Sequence, residues 1–377
     1  MKQNGETLEF LKYLETLGIP SIDCVVHHHG KPVFRYMSGY SDEAKTCPIN
    51  GNERYNLYSC SKLITCTAAL QLVENDTIRL DDAVYEYLPE FRNMKKLVDG
   101  KLEDVKNTMT LRHLFTMTAG LTYDCNSKNI RRGIEETKGV MPTREAMKYL
   151  ACDPLIFEPG EYWNYSLCHD VLAAVVEVAT GVRFSEYMKR EIFEPLGMTK
   201  ATFRVNDEIL SKMAQQYWFN YSTGEAEVKG KTNDYIFGDG YDSGGAGIIT
   251  TIDDYAKFVQ AMSCGGVSPN GARILSPSTV KLMSTNMLDE KRMAQFSTWR
   301  NNAEYGYGLG VRTKIYEGWG GTICSLGEFG WDGAAGTLCS IDPERQIGIV
   351  YTQHMLNPHH EQIHPRIKML VNLALGY

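Results

Sequence analysis

The sequence predicts an α+β fold, an α/β sandwich whose antiparallel sheet comes from both ends of the chain and is flanked by helices. Strand-like alternation occurs near residues 21–40 and 334–353, and long helical patterns lie between them. The 377 residues, 43% of them hydrophobic, can bury a large core. We expect one domain over 1–377, with an α/β part of about 1–80 and 240–377 and a helical insert of about 81–239.

The first elements follow in chain order. MKQNGETLEFLKYLETLGI has the spacing of an amphipathic helix. SIDCVVHHHGKPVFRYMSGY predicts two strands joined by a Gly-Lys turn. Residues 62–75 are apolar and almost uncharged after the first lysine, which predicts a buried helix. TLRHLFTMTAGL, residues 110–121, predicts a helix that ends at Gly120.

The later elements are equally distinct. SLCHDVLAAVVEVATG, residues 166–181, predicts a helix ending at Gly181. KGKTNDYIFGDGYDSGGAGIITT, residues 229–251, is rich in Gly and Asp and predicts a loop that reaches a buried edge. AAGTLCSIDPERQIGIVYTQ predicts two strands around an Asp-Pro turn, and PRIKMLVNLALGY predicts a closing helix.

Composition excludes several kinds of partner and favours a small-molecule one. The net charge is −7 and no basic run is present, so a nucleic-acid partner is not expected. No apolar run approaches the roughly 18 residues of a membrane span, so no membrane partner is expected. Ten cysteines occur without a CxxC pair, and the N-terminus lacks the apolar stretch of a signal peptide. We therefore expect reduced thiols and a cytoplasmic protein.

Ser59 and Lys62 are the strongest candidates for chemistry. Residues three apart share a helix face, so a serine in the first turn can touch this lysine. The helix N-terminus favours developing negative charge on the serine oxygen. A lysine at the edge of an apolar helix loses solvent, which favours the neutral amine that can accept a proton. The spacing predicts a nucleophile and its base.

Other residues compete with this pair. S-x-x-K recurs at Ser278 and Lys281, where an ordinary helix start with a solvent-facing lysine explains it. Cys60 and Ser61 are rival nucleophiles, but neither lies three residues before Lys62, and Cys60 fits the core better.

Two histidine motifs have a spacing that metal sites also use, but we do not expect either to bind a metal. HHEQIH, residues 359–364, contains the H-E-x-x-H spacing of zinc proteases. Pro365 follows at once and disfavours helical geometry at His364, and no third ligand lies downstream. On a strand, only His27 and His29 of the triplet 27–29 would share a face. We expect neither a metal nor another cofactor.

Further segments follow Ser59 and Lys62 in a recognisable order: LYSCSKLITCTAALQLVENDTIRLDDAVYEYLPEF, MTLRHLFTMTAGL, FEPGEYWNYSLCHDVLAAVVEVATG, IFEPLGMTKATF, GGAGIITTIDDYAKF, YGYGLGV and FGWDGAAGTLCSIDPE. With them the chain resembles the serine β-lactamase and penicillin-binding-protein superfamily, nearest to class C β-lactamases and family VIII carboxylesterases. The resemblance runs almost end to end. It implies the β-lactamase/transpeptidase-like fold and a nucleophilic Ser59.

The superfamily's second motif, Tyr-x-Asn, is matched by Tyr-Ser-Leu. Tyr165 is then the implied partner of Lys62 in proton transfer, although an amphipathic aromatic at a helix start would explain it as well. Leu167 replaces the Asn that holds the amide side chain of β-lactams, which weakens a β-lactamase interpretation.

The third motif, Lys-Thr-Gly or His-Thr-Gly, is replaced by Trp331, Asp332 and Gly333. Relatives that act on penicillins or D-alanyl-D-alanine hold a carboxylate there, whereas Trp331 offers only an indole N–H and Asp332 would repel an anion. Family VIII esterases carry Trp-Gly-Gly, so the Asp is a departure. Asp332 is either a solvated turn residue or a selector of neutral or cationic substrates.

The resemblance also implies an oxyanion hole made by the backbone amides of Ser59 and Ala334. Gly333 and Gly336 fit a strand that lets a substrate approach closely. His169 lies one turn after Tyr165 and fits either the site or the core. Trp163, Tyr241 and Trp331 form either an aromatic pocket wall or part of the core.

Taken together, these residues predict a serine hydrolase that works through an acyl-enzyme, with a small carboxylic ester as its substrate and an amide as an alternative. A β-lactamase and a D-amino-acid peptidase or amidase are the alternatives within the superfamily. A penicillin-binding-like receptor that is acylated but turns over slowly is the alternative of another class.

Overall fold

The computed structural model describes residues 5–299, 302–318, 321–357 and 359–377. Its helices are α1 Gly5–Glu15, α2 Ser61–Glu74, α3 Val84–Tyr87, α4 Leu111–Phe115, α5 Lys128–Glu136, α6 Thr143–Leu150, α7 Cys168–Thr180, α8 Phe184–Met188, α9 Glu194–Leu196, α10 Asp207–Lys212, α11 Ile252–Ser263, α12 Pro277–Met283, α13 Glu290–Thr298 and α14 His360–Ala374. Short 3₁₀ turns cover Tyr58–Cys60 and Pro89–Phe91, and a π-helical turn covers Lys189–Phe193. None of the helices described in these ranges has the length and apolar character needed to cross a membrane.

The strands are β1 Ser21–His28, β2 Lys31–Gly39, β3 Tyr55–Asn56, β4 Lys95–Val98, β5 Lys101–Asp104, β6 Gln216–Asn220, β7 Glu225–Gly230, β8 Ile249–Thr250, β9 Tyr305–Tyr307, β10 Arg312–Lys314, β11 Phe329–Asp332, β12 Leu338–Asp342, β13 Ile347–Thr352 and β14 Met355–Leu356. The main sheet has seven strands in the order β2-β1-β13-β12-β11-β10-β9, and its pairings are antiparallel. N-terminal β1 pairs with C-terminal β13 from Asp23 opposite Thr352 to His28 opposite Ile347. The predicted sheet from both chain ends is confirmed.

Helices cover both faces of this sheet because its side chains alternate between them. Val26 of β1 packs into a cluster with Leu11 of α1 and Ile367 of α14. Its neighbour Val25 packs into the opposite cluster, which contains Val259 of α11. The strands are therefore buried on both sides, and the predicted α+β sandwich is confirmed.

Helix α2 lies in the core, as its composition predicts. It runs from Ser61 to Glu74, and nearly every residue before its last turn is buried. A helix that is apolar all round gains most by being surrounded, and α2 packs against α7 and the end of β11. Helix α7 ends at Gly181, whose φ of 69° is the left-handed conformation that glycine adopts without strain. These two helices carry or adjoin the predicted catalytic residues.

Three elements differ from the predictions. Helix α4 ends at Phe115 rather than at Gly120, where the chain turns back so closely that a Cβ would lie 2.4 Å from the Phe157 carbonyl oxygen. Helix α14 begins at His360 and contains Pro365, because a proline this close to the N-terminus removes at most one intrahelical hydrogen bond. The region predicted as a helical insert also contains the hairpins β4–β5 and β6–β7.

Candidate active site

Ser59 lies on a strained turn at the entrance to α2. Tyr58, just before it, has a φ of 47°, a left-handed conformation that is rare for a bulky residue. The Tyr58 hydroxyl donates a 2.6 Å hydrogen bond to Gln216, which helps to hold this conformation. The turn leaves Ser59 partly exposed, while Tyr58 and Cys60 on either side are buried. A sharp turn of this kind presents one hydroxyl to a ligand.

Lys62 reaches Ser59 from the first turn of α2. Its side chain is fully buried, and its Nζ donates to Ser59 Oγ at 3.3 Å, to the Tyr123 hydroxyl at 3.1 Å and to the Gly245 carbonyl at 2.8 Å. An ammonium has three N–H donors, so these contacts satisfy the buried charge completely. The predicted proximity of Ser59 and Lys62 is present in the structure.

Tyr165 completes a three-residue hydrogen-bond network. Its hydroxyl donates to Ser59 Oγ at 2.6 Å, and Lys62 Nζ lies 4.6 Å from the centre of its ring. The Trp331 indole N–H donates in turn to the Tyr165 oxygen at 3.2 Å, and the two rings stack with centroids 5.5 Å apart. The N–H that Trp331 was expected to offer to substrate is therefore used on Tyr165.

Tyr123 is a site residue that the sequence did not indicate. It follows α4 in a loop, accepts from Lys62, and stacks on Tyr165 with ring centroids 5.2 Å apart. Burial, with the nearby phenol of Tyr165 and carboxyl of Asp170, holds the pKa of Tyr123 well above its usual value. Tyr123 thus stays a neutral phenol and can orient Lys62 without taking its proton.

The Gly-rich loop before β8 provides the acceptor for Lys62. Inside this loop the Tyr241 hydroxyl and Ser243 Oγ both donate to Asp170 on α7, at 2.9 and 2.6 Å. A Cβ at Gly245 would lie 2.3 Å from the Asp170 carboxylate, so only glycine fits between this carboxylate and Lys62. Burial raises the pKa of Asp170, and the Lys62 charge partly offsets this effect. Tyr241 is thereby a buried loop anchor rather than a pocket wall.

The two predicted oxyanion amides lie on segments that approach each other closely. A Cβ at Gly333 would lie 2.5 Å from the Leu57 carbonyl oxygen, two residues before Ser59. Gly333 therefore allows a close contact between these two backbone segments. Among the described residues, neither the Ser59 nor the Ala334 amide donates to a protein acceptor. Gly336 has a φ of 78° and closes the turn after β11.

Asp332 is part of a buried ion cluster. Its carboxylate accepts from Arg312 at 2.8 Å and lies 3.1 Å from Nδ1 of His364. Burial opposes its ionisation, but Arg312 and His364 outweigh burial and hold the pKa of Asp332 well below its usual value. Asp332 is therefore a paired, mostly buried carboxylate and not a solvated turn residue, which corrects the first of the two sequence interpretations.

The last histidine of the H-E-x-x-H motif, His364, makes its contacts with protein groups. His364 Nε2 lies 3.2 Å from the Gly336 carbonyl oxygen, so both of its ring nitrogens already face protein acceptors. In the described part of the chain, no group of three or more His, Cys, Asp or Glu residues is arranged to hold a metal ion. On the first strands, His28 contacts Tyr377 and His29 contacts Gln346.

The remaining candidates lie in the core or on the surface. Burial raises the pKa of the Cys60 thiol well above its usual value, and Ser61 Oγ accepts from the Ile248 amide at 2.9 Å. Burial also lowers the pKa of His169 to about 3, so it stays a neutral core residue. Leu167 is buried in the main core cluster, which corrects its placement in the pocket. Ser278 and Lys281 are both exposed on α12.

Aromatic rings surround the catalytic candidates. Trp299 stacks on Trp331 at 5.6 Å and lies 5.1 Å from Tyr165, while Trp163 packs behind them against Phe296. A cavity of about 470 Å³ adjoins this group, and Trp299, Trp331 and Asp332 are among the residues that line it. Trp331 therefore contacts the Tyr165 hydroxyl and also lines this cavity, whereas Trp163 belongs to the core.

Comparison with known proteins identifies the family and the fold. The family model described as Beta-lactamase matches residues 10–372. The chain belongs to the β-lactamase family. This β-lactamase-family protein is 30% identical over 290 residues to "Acyltransferase mokF" of Monascus pilosus, covering 73% of this chain and 68% of the relative. It is 27% identical over 353 residues to "Esterase EstB" of Burkholderia gladioli, covering 86% and 83%.

Solved structures show the same fold for this β-lactamase-family chain. "EstCE1, a hydrolase with promiscuous acyltransferase activity" superposes with a TM-score of 0.79 at 24% identity, covering 99% of this chain and 98% of the other. The octameric penicillin-binding protein homologue from Pyrococcus abyssi gives 0.71 at 21%, covering 100% and 77%. The predicted β-lactamase/transpeptidase-like fold is confirmed.

Proposed function

We propose that this protein is a serine hydrolase that cleaves small carboxylic esters through an acyl-enzyme on Ser59. One observation carries the proposal: Ser59 Oγ lies within hydrogen-bond distance of both Lys62 Nζ and the Tyr165 hydroxyl, at 3.3 and 2.6 Å. A serine needs an adjacent base to become nucleophilic, and here two groups can share its proton. Because Lys62 and Tyr165 both contact Ser59 Oγ, we assign the role of base to the pair.

The acylation step follows from these contacts. Ser59 Oγ bonds to the ester carbonyl carbon as its proton passes to the Lys62–Tyr165 pair, which accepts it when one of its two groups is deprotonated, and the carbonyl oxygen becomes an oxyanion. The Ser59 and Ala334 amides would donate to that oxygen, where fixed dipoles stabilise developing charge. The C–O bond to the alcohol then breaks, and the alcohol leaves with the proton held by Tyr165.

Deacylation uses the same groups in reverse. Water attacks the acyl carbon and gives its proton to the pair, the bond to Ser59 Oγ breaks, and that oxygen regains a proton as the carboxylic acid departs. Tyr123 and Gly245 keep Lys62 in place through both steps, because their contacts with Nζ do not involve the reacting atoms. Trp331 does the same for Tyr165.

The pocket favours an ester without a recognition carboxylate. The cation and hydroxyl of the usual third motif are absent at residues 331 and 332, and the indole N–H that replaces them points at Tyr165. The nearby Arg312 is held by Asp332 at 2.8 Å. These features argue against a β-lactamase and against a D-amino-acid peptidase or amidase.

A second candidate is transfer of the acyl group to an alcohol instead of to water. The printed names of relatives favour it: "Acyltransferase mokF" and "Monacolin J acid methylbutanoyltransferase" of Aspergillus terreus. The aromatic rings around Ser59 also favour an organic acceptor over water, because they offer an apolar surface on which an alcohol can pack.

The test is hydrolysis of p-nitrophenyl acetate and butyrate, with a chromogenic cephalosporin alongside, by wild type and Ser59→Ala. Ser278→Ala is the matched control, because it changes the serine of the second, exposed S-x-x-K. We expect ester turnover to vanish only in Ser59→Ala, with little cephalosporin cleavage. Added butanol should yield butyl ester in proportion to its concentration if acyl transfer competes.

Each other outcome contradicts a stated part of the proposal. Efficient cephalosporin cleavage would show that the third motif was misinterpreted. A burst of nitrophenol without steady turnover would favour the slowly deacylating receptor. Ester turnover that survives in Ser59→Ala would remove Ser59 as the nucleophile.

A further inference from the structure

His364 is placed to act on the turn that carries the predicted oxyanion amide of Ala334. The turn joins β11 to β12, with the Gly333 amide donating to Thr337 and the Gly336 amide donating to Gly333. Asp332 lies at its start and Gly336 near its end. His364 contacts both, through Nδ1 to Asp332 at 3.1 Å and Nε2 to the Gly336 carbonyl at 3.2 Å. One imidazole therefore bridges the two arms of the turn.

The protonation state decides whether this bridge can exist. A carboxylate and a carbonyl are both acceptors, and a neutral imidazole has only one N–H donor. In a neutral ring, one nitrogen lone pair would face an acceptor at about 3 Å, which is repulsive. Only the imidazolium donates to Asp332 and Gly336 together. Its side chain is 4% exposed, so water cannot readily replace a lost contact.

We propose that His364 is a positioning residue, whose imidazolium ties Asp332 to Gly336 and so holds the Ala334 amide where the oxyanion forms. The inference rests on the proposed function, since it concerns the same site. It also gives a role to the Asp that departs from Trp-Gly-Gly, because Asp332 is the anion that faces the imidazolium. A ring with a single N–H can keep only one of these two contacts, and the turn then relaxes.

The surroundings leave few other groups to explain a dependence on protonation. The titratable and charged groups around His364 are Asp332 on β11, Arg312 on β10, Tyr351 on β13, and His360, Glu361 and Lys368 on α14. Burial keeps Tyr351 neutral by raising its pKa well above the usual value. Burial acts against the charge of Lys368, but Glu328 outweighs it and raises the pKa of this lysine.

The first test compares the pH dependence of ester hydrolysis in wild type, His364→Gln and His360→Gln. His360→Gln makes the same change one helical turn away. We expect His364→Gln to lower kcat about 10- to 100-fold with little change in KM, because a small misplacement of a catalytic donor acts on the transition state. Wild type and His360→Gln should lose activity along a high-pH limb that His364→Gln lacks.

The variant Asp332→Asn tests whether His364 acts through its contact with Asp332. Asparagine lacks the charge that faces the imidazolium, so we expect Asp332→Asn to lower kcat in the same way as His364→Gln, with little change in KM. Full activity in His364→Gln would overturn the inference. A large loss that leaves the limb in place would overturn it too, because it would show only a structural role.

Histidine-selective ¹⁵N NMR keeps the inference separate from the proposed function. We expect the His364 signals to be those of a doubly protonated ring at neutral pH, in wild type and in Ser59→Ala alike. A singly protonated ring there would overturn the inference even if Ser59 proves essential. A doubly protonated ring in a chain without esterase activity would instead show that the bridge stands and the proposed function fails.

Discussion

Replacing Trp331 with phenylalanine separates two roles that its indole can have. In the structure the indole N–H donates to the Tyr165 oxygen at 3.2 Å, and the ring stacks on both Tyr165 and Trp299. Trp331→Phe removes the N–H and keeps most of the stacking surface. If the N–H orients Tyr165, the loss should appear in the chemical step and not in substrate binding.

The expected size follows from a single neutral hydrogen bond. Such a bond contributes about 1 kcal/mol net, and about 1.5 kcal/mol at the upper end. At about 1.4 kcal/mol per tenfold change in rate, kcat should fall about fivefold, and by no more than about 12-fold. KM for p-nitrophenyl butyrate should stay within about twofold, because the contact is to Tyr165 and not to substrate, and it is present before and after binding.

Trp163→Phe is the matched control. Trp163 also lies beside Tyr165, with ring centroids 6.4 Å apart, but its buried indole nitrogen has no hydrogen-bond partner within the described chain. The same chemical change should therefore leave kcat close to the wild-type value. The assay is steady-state hydrolysis of both esters, with thermal melting to confirm that each variant is folded.

A different pattern of constants would refute the reasoning. If Trp331→Phe raises KM several-fold while kcat holds, the indole N–H binds substrate and the contact with Tyr165 is incidental. If Trp163→Phe lowers kcat as much as Trp331→Phe does, ring packing matters and the hydrogen bond does not.

Three further expectations follow from the same contacts. Lys62→Met should lower kcat about 10²- to 10⁴-fold and abolish the nitrophenol burst, because the proton acceptor is lost from a site of similar shape; an unchanged burst would contradict this. Tyr123→Phe should lower kcat about fivefold by removing one contact to Lys62 Nζ, with an unchanged kcat counting against that role. Burial lowers the pKa of His354 to about 4, whereas an unfolded histidine titrates near 6.5. The contribution of His354 to stability should therefore be constant above about pH 6.5 and fall as pH drops toward 4, because the unfolded chain then binds more protons than the folded one. In His354→Gln, Tm should fall less over the same drop in pH.

Local periodicity was enough to predict the frame of the fold. Strands β1 and β13 are buried along almost their whole length, which fits a sheet covered on two faces, and the charge-free run of α2 reflects a helix surrounded by others. The contact between Ser59 and Lys62 also depends only on helical spacing, which is why it could be predicted. The ends of α4 and α14 could not, since they depend on how Gly120 meets Phe157 and on how few bonds Pro365 removes.

The supporting residues of the site have no such local pattern. Tyr123 lies 61 positions from Lys62, and Gly245 lies 183 positions from it. Each reaches Nζ from an irregular loop, where neither a period of two nor one of 3.6 residues marks a position. A tyrosine in a loop is ordinary, and its importance arises only from the buried amine that it faces.

Asp332 shows why the chemical meaning of a charged residue depends on its partners. An aspartate in a turn is usually solvated, and one in a pocket repels anions, so the residue alone supports either interpretation. In the fold, Arg312 from 20 positions away and His364 from 32 positions away converge on the same carboxylate. With two donors on it, burial strengthens their attraction instead of neutralising the acid. The departure from Trp-Gly-Gly therefore places a paired anion at the start of the turn that carries Ala334, where it contacts His364 and also borders the cavity.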